Sequence, residues 1–130
     1  MRRNDVRILV VDDDKKVADL LVSQLEALSY SAKAVYDSSE ALERLARDEF
    51  QVLITDVVMP GMSGIDLLEL SKKANDKLIV ILISGYATIE TGVKALKKGA
   101  VDYLAKPYRL EELETTLRTS LESTYGPLEP

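Results

Sequence analysis

Apolar positions along this chain change period repeatedly. Residues 8–11, 52–54 and 78–83 are unbroken runs rich in β-branched side chains, the pattern of parallel strands buried on both faces. Residues 31–36 and 101–105 are more mixed, interrupted by Lys33 and Asp102, and read as strands at the edges of a sheet. Between these runs the spacing becomes helical. Val17, Leu20, Leu21, Leu25 and Leu28 recur every three or four residues, as do Ile89, Val93 and Leu96, and later Leu110, Leu113, Leu117 and Leu121. Each set predicts a helix with one apolar stripe to lay on a sheet.

Local signals agree. Asp37-Ser38-Ser39-Glu40 predicts a capping box at the start of a helix, Asp14 a helix cap, and Gly99 after Lys97-Lys98 a helix C-terminus. The alternation amounts to five βα units. Right-handed crossovers with the mixed strands outermost then favour a doubly wound α/β sandwich whose parallel sheet runs in the order 2-1-3-4-5. Neither a repeat nor a linker divides the chain, so one domain is expected over residues 1–124, with residues 125–130 as a loose tail.

In such sheets ligands bind beyond the carboxyl ends of the strands. Here the first strand runs into Asp12-Asp13-Asp14, the third into Asp56, the fourth into Ser84 and the fifth into Lys106-Pro107. Taken singly, each has a plainer reading: helix-cap acids, a residue before the Pro60-Gly61 turn, a satisfied hydroxyl, a surface lysine. Together they form a pattern. Carboxylates gathered in a small volume need protons or a hard divalent cation, which points to Mg2+, while a lysine and a hydroxyl are the groups that hold phosphoryl oxygens.

Composition narrows the chemistry further. Seventeen basic and 22 acidic residues give 130 residues a formal charge of −5, which leaves no basic field for nucleic acid or anionic lipid. Histidine and cysteine are absent. Ser-His-Asp catalysis, thiol nucleophiles, zinc held by nitrogen or sulfur and any histidine phosphodonor within the chain are excluded. The first apolar run is too short for a signal segment or a membrane span, so the cytoplasm is the expected location.

The sequence resembles the receiver domain of two-component response regulators over roughly residues 7–121. The likeness rests on Leu9-Val10-Val11-Asp12-Asp13-Asp14, on Thr55-Asp56-Val57-Val58-Met59-Pro60-Gly61, on Ser84-Gly85-Tyr86-Ala87-Thr88 and on Lys98-Gly99-Ala100-Val101-Asp102-Tyr103-Leu104-Ala105-Lys106-Pro107. It implies a flavodoxin-like (βα)5 fold in which Asp56 accepts a phosphoryl group from a histidine kinase or histidine phosphotransfer protein. It also implies Mg2+ held by Asp12, Asp13, Asp56 and the backbone carbonyl of Val58, with Lys106 and Ser84 on the phosphoryl oxygens. Tyr103 would then turn inward and remodel the face of the fourth helix, fifth strand and fifth helix, where an output partner or a second copy of the chain binds. The Lys106–Pro107 bond is cis in similar domains. On this view the chain's only chemistry is on itself.

Val58 and Tyr86, each two residues past a site residue, are apolar and bulky, and they lead to an expectation of slow self-dephosphorylation. Tyr108 stands where phenylalanine is more usual. Residues 85–91 look like receivers attached to enhancer-binding activators. Two rival functions have less support. A small phosphohydrolase using an aspartyl phosphate lacks the second acid two residues after Asp56, and a phosphate-independent scaffold has no need of Asp13, Asp56, Ser84 and Lys106 together. An FMN carrier of the same fold class would need a phosphate cradle where Asp12-Asp13-Asp14 stands.

Overall fold

A computed structural model describes residues 1–129. Five parallel strands, β1 (Arg7–Val11), β2 (Ser31–Val35), β3 (Val52–Asp56), β4 (Ile79–Ser84) and β5 (Asp102–Ala105), alternate with α1 (Lys15–Ala27), α2 (Ser38–Arg47), α3 (Gly64–Ala74), α4 (Ile89–Lys97) and α5 (Leu110–Tyr125). The sheet order is β2-β1-β3-β4-β5, as expected. The mixed strands do lie at the edges. The unbroken apolar runs lie inside, where each is covered twice.

Period-two alternation sorts those runs between two cores. Ile8, Val10, Ile54, Ile81 and Ile83 face α1 and α5, packing on Leu21, Leu25, Leu113, Leu117 and Leu121. Leu9, Val11, Leu53, Val80 and Leu82 face the other way, onto Ala41, Leu67, Leu68 and Ala95 of α2, α3 and α4. A strand slipped by one residue would exchange the two sets, so both cores hold the register. Among the described residues, no helix is long and apolar enough to cross a membrane.

The caps show how well short motifs translate. Asp14 caps α1 by accepting from the N–H groups of Lys16 and Val17. Asp37 caps α2 by accepting from Glu40 N–H at 2.8 Å, which is the Asp37 half of the expected box. The helix α3 carries its start signal in Ser63, whose hydroxyl accepts from Asp66 N–H. Gly99 ends α4 at φ +108°, with the N–H groups of Gly99 and Ala100 bonded to Leu96 O and Ala95 O, a Schellman motif.

Helix α1 closes in the same way, with Ser29 N–H on Glu26 O and Tyr30 N–H on Leu25 O, but a serine carries the φ of +76°. A side chain in that region costs about 1 kcal/mol, part of which glycine returns as unfolded-chain entropy. Ser29→Gly is therefore expected to stabilise the fold by about 0.5 kcal/mol, measured as a higher urea midpoint at unchanged m-value. A lower midpoint would contradict this account of the cap.

The expected loose tail is instead docked. Tyr125 belongs to α5 and its hydroxyl donates to Lys77 O at 3.0 Å. Leu128 packs against the first core, and Glu129 N–H donates to Met1 O at 2.9 Å. Apolar area on Leu128 and one free backbone carbonyl at the N-terminus hold the segment. Gly126 supplies the reversal at φ +94°. Pro130 lies outside the described residues.

Candidate functional site

The register places the acidic groups side by side. Val11 pairs with Thr55 across β1 and β3, so the next residues, Asp12 and Asp56, are neighbours at the carboxyl edge. Asp12, Asp13 and Asp56 each bring a carboxylate oxygen within 4.8 Å of the other two; Asp12 is buried, Asp56 half-buried and Asp13 exposed. Lys106, just past β5, donates from Nζ to Asp12 Oδ2 at 3.2 Å and stands 3.6 Å from Asp56 Oδ2.

The backbone aims these groups. Asp12 Oδ1 accepts from Asp14 N–H at 3.0 Å and Asp56 Oδ1 from Val57 N–H at 2.9 Å. Lys106 N–H donates to Ser84 O at 2.9 Å, and the Lys106–Pro107 peptide is cis. Burial pushes the Asp56 carboxyl above its ordinary range; Lys106 pulls the other way, Asp12 pushes further up, and the Val57 N–H pulls down. Burial alone would lower Lys106, but its bonds and attraction to Asp12 and Asp56 outweigh it and the ammonium ends above its ordinary value. One ammonium facing three carboxylates leaves the site net negative. Hard oxygen donors at this spacing fit Mg2+ or a cation like it.

Ser84 ends β4 and is 1% exposed; its Oγ accepts from Tyr86 N–H at 3.0 Å. Tyr103, half-buried on β5, shares a 3.0 Å hydrogen bond with Thr91 Oγ1 of α4. Val58 and Tyr86 are 55% and 78% exposed. The structure thus brings Asp12, Asp13, Asp56 and Lys106 into one cluster, joins Ser84 to it through the main chain, and directs the Tyr103 hydroxyl to α4. Tyr108 lines the small cavity beneath Asp12, Asp56 and Lys106, and burial raises its phenol. An apolar groove lies elsewhere, between α2 and α3 at the amino end of the sheet, and is lined by Leu42, Leu45, Phe50, Leu70 and Leu78.

Two framing residues sit in motifs legible in the sequence, Gly64 at the end of the stretch 53–64 that resembles the receiver family and Ser38 in the capping motif of residues 37–40, but neither motif gives them a role at the site. Gly64 opens α3, and a Cβ placed on it would lie 2.1 Å from the backbone oxygen of Asp56. Ser38 opens α2, and its hydroxyl donates to Met62 O at 2.8 Å. The first contact is between segments eight residues apart and the second between segments 24 apart, distances over which neither periodicity nor a capping rule speaks.

Comparison with known proteins gives a consistent set of likenesses. The family model of the response regulator receiver domain matches residues 8–118. The chain is 35% identical over 126 residues to the transcriptional regulatory protein ZraR of Escherichia coli K12, covering 97% of this chain and 29% of ZraR. It is 37% identical over 119 residues to the response regulator MprA of Mycobacterium bovis, covering 92% of this chain and 52% of MprA. The chain therefore spans about half or less of these relatives. Among solved structures, the receiver domain of the Francisella response regulator 1452 superposes with a TM-score of 0.85 at 32% identity, covering 92% of this chain and 98% of that one. The beryllofluoride-activated NtrC4 receiver domain dimer gives 0.86 at 32% identity, covering 91% and 98%.

Proposed function

The chain belongs to the response regulator receiver domain family of two-component systems, and from that premise we propose that it is a cytoplasmic switch whose Asp56 takes a phosphoryl group from a phosphohistidine. The donor is a sensor histidine kinase or a histidine phosphotransfer protein. The observation that carries the reading is the cluster itself: three carboxylates within 4.8 Å and Lys106 bridging two of them.

In the transfer, an Asp56 carboxylate oxygen forms a bond to phosphorus as the bond from phosphorus to the donor imidazole nitrogen breaks, and the imidazole leaves. Such a step needs positioning and charge neutralisation more than covalent help. Val57 N–H holds one Asp56 oxygen. Burial, which disfavours the ionised carboxyl, makes that carboxylate a better nucleophile than an exposed one. Asp12, Asp13, Asp56 and the Val58 carbonyl would hold Mg2+, which supplies Lewis-acid neutralisation of the phosphoryl oxygens. Lys106 takes a share of the same charge.

Ser84 uses its oxygen as an acceptor for Tyr86 N–H, so its proton is free for a phosphoryl oxygen. Movement of that hydroxyl opens room for Tyr103 to leave Thr91 and turn inward. The readout is the face of α4, β5 and α5, where Ile89, Val93 and Leu96 are exposed. That face takes the output partner, an effector domain or a second copy of the chain. The NtrC4 receiver domain is a dimer when beryllofluoride-activated, which supports the last arrangement.

The deciding experiment is intact-protein mass spectrometry after incubation with acetyl phosphate. A single adduct that requires Mg2+ is expected. No adduct, with beryllofluoride also failing to bind, would move the chain to a phosphate-independent scaffold.

The lifetime of the adduct follows from the side chains at the mouth. The apolar Val58 and the bulky Tyr86, both exposed at the mouth, lie across the path of an attacking water and screen the phosphoryl group from it. Val58→Asn and Tyr86→Ala are each expected to speed loss of the adduct by on the order of tenfold, about 1.4 kcal/mol of barrier. Unchanged decay in both variants would remove them from this role.

A further inference from the structure

We propose that Ser38 is a positioning residue for the cation site, acting through the β3–α3 loop. The proposal rests on the reading above, in which Asp12, Asp13, Asp56 and the Val58 carbonyl hold a divalent cation. Residues 57–63 connect Asp56 to the start of α3, and Gly61 turns them at φ +79°. The loop is closed at its base, where Gly64 N–H donates to Val57 O at 2.9 Å. Met59 is buried and Met62 packs against the second core. Among the described residues, the bond from Ser38 Oγ to Met62 O is the single hydrogen bond made by residues 58–62.

That bond has the features of a fixed anchor. Ser38 is 3% exposed, so water does not compete for its hydroxyl. It sits at the first turn of α2, held in place by the Asp37 cap on Glu40 N–H. The neighbouring contact of Ala41 with the second core fixes the same turn. A backbone carbonyl that ligates a cation can be moved only by moving the loop; the bonds of Val57 N–H to Ile83 O and of Gly64 N–H to Val57 O hold its base, and the Ser38 bond is the polar restraint on its far side. Met62 is four residues beyond Val58 on a segment with no regular structure, so loss of the bond loosens the loop without touching any carboxylate. Partners bonded directly to a ligand commonly govern metal affinity by ten- to a hundredfold, and Ser38 acts one step further out, through the loop.

The test measures the Mg2+ dissociation constant from the concentration dependence of the melting temperature, for wild type, Ser38→Ala, Ser38→Cys and Ser71→Ala. Ser71 is an equally buried serine on α3 whose hydroxyl donates within its own helix, to Leu68 O at 3.1 Å. Its deletion costs a similar hydrogen bond without releasing the loop. Ser38→Ala is expected to weaken Mg2+ binding on the order of tenfold, at the lower end of the range because one ligand of several is affected. Ser38→Cys, a near-isosteric weak donor, should weaken it less and keeps the test valid should the alanine variant not fold. Ser71→Ala should match wild type.

Equal weakening in Ser38→Ala and Ser71→Ala would make the effect one of general stability and overturn the proposal. Wild-type affinity in the Ser38 variants would also overturn it, while Mg2+ binding and phosphorylation of the wild type left the switch reading intact. Failure of the wild type to bind Mg2+ at all would overturn both.

Discussion

Gly64→Ala is expected to destabilise the domain by about 3 kcal/mol, the upper end of the usual cost of overpacking. The added Cβ would lie 2.1 Å from Asp56 O, 2.9 Å from Val57 Cα and 3.0 Å from Asp56 C. All three are backbone atoms, so no side chain can rotate out of the way. Either α3 moves off the sheet, losing part of the contact of Ile65, Leu67 and Leu68 with the second core, or the end of β3 moves, taking Asp56 with it. Helix propensity argues the other way, since alanine is favoured over glycine in a helix by up to about 1 kcal/mol. The clash outweighs it. For a chain of this size the melting temperature should fall by roughly 10 °C. Gly85→Ala is the control: nothing lies within 4 Å of its Cβ position and its φ is ordinary, so it should change stability by less than about 0.5 kcal/mol. A Gly64→Ala domain that melts with the wild type would show that β3 and α3 adjust freely at this crossing.

That crossing also marks how far the sequence reaches. The sheet order was legible because buried parallel strands and half-exposed edge strands differ in composition: residues 52–54 and 78–83 carry no polar residue, while Lys33 and Asp102 interrupt the outer two. The acidic site was legible because chain reversal at each strand end is local, so Asp12, Asp56, Ser84 and Lys106 can be placed on one edge before any contact is known. What pairs across that edge was not. The Ser38–Met62 bond, the fit of Gly64 against Asp56 and the Thr91–Tyr103 bond depend on where helices settle on the sheet. The packing of many side chains sets that position, and no pattern along the chain does. The tail shows the same limit: Gly126, Pro127 and Pro130 read as a loose segment, while one leucine and one terminal carbonyl tie residues 127–129 down.

Asp56→Asn is expected to abolish the acetyl-phosphate adduct completely while making the cation-free domain more stable. The first result follows from chemistry: the amide retains the shape and can still accept the Val57 N–H bond now made at 2.9 Å, but it is not a nucleophile toward phosphorus. The second follows from the charge on the site. Burial, reinforced by Asp12, holds the folded-state carboxyl above its ordinary value even against Lys106, so the ionised form is less favoured in the folded state than in the unfolded one. A group whose folded pKa is raised in this way costs stability above its folded pKa, and the cost disappears as pH falls below the unfolded value near 4. Replacing it by a neutral amide should therefore raise stability near neutral pH by about 1 kcal/mol, with the gain vanishing on acidification. Lys106 keeps Asp12 at 3.2 Å as a partner, so the ammonium is not stranded. Mg2+ should reverse the order, because the wild type retains three carboxylates for the cation and the variant two; at a hundred times the dissociation constant, binding contributes about 2.7 kcal/mol. Melting curves of both proteins with and without Mg2+ at neutral and acidic pH decide it. An asparagine variant less stable than wild type in the absence of cation would mean that Lys106 already balances the cluster, and the electrostatic argument for a cation at Asp12, Asp13 and Asp56 would lose its footing.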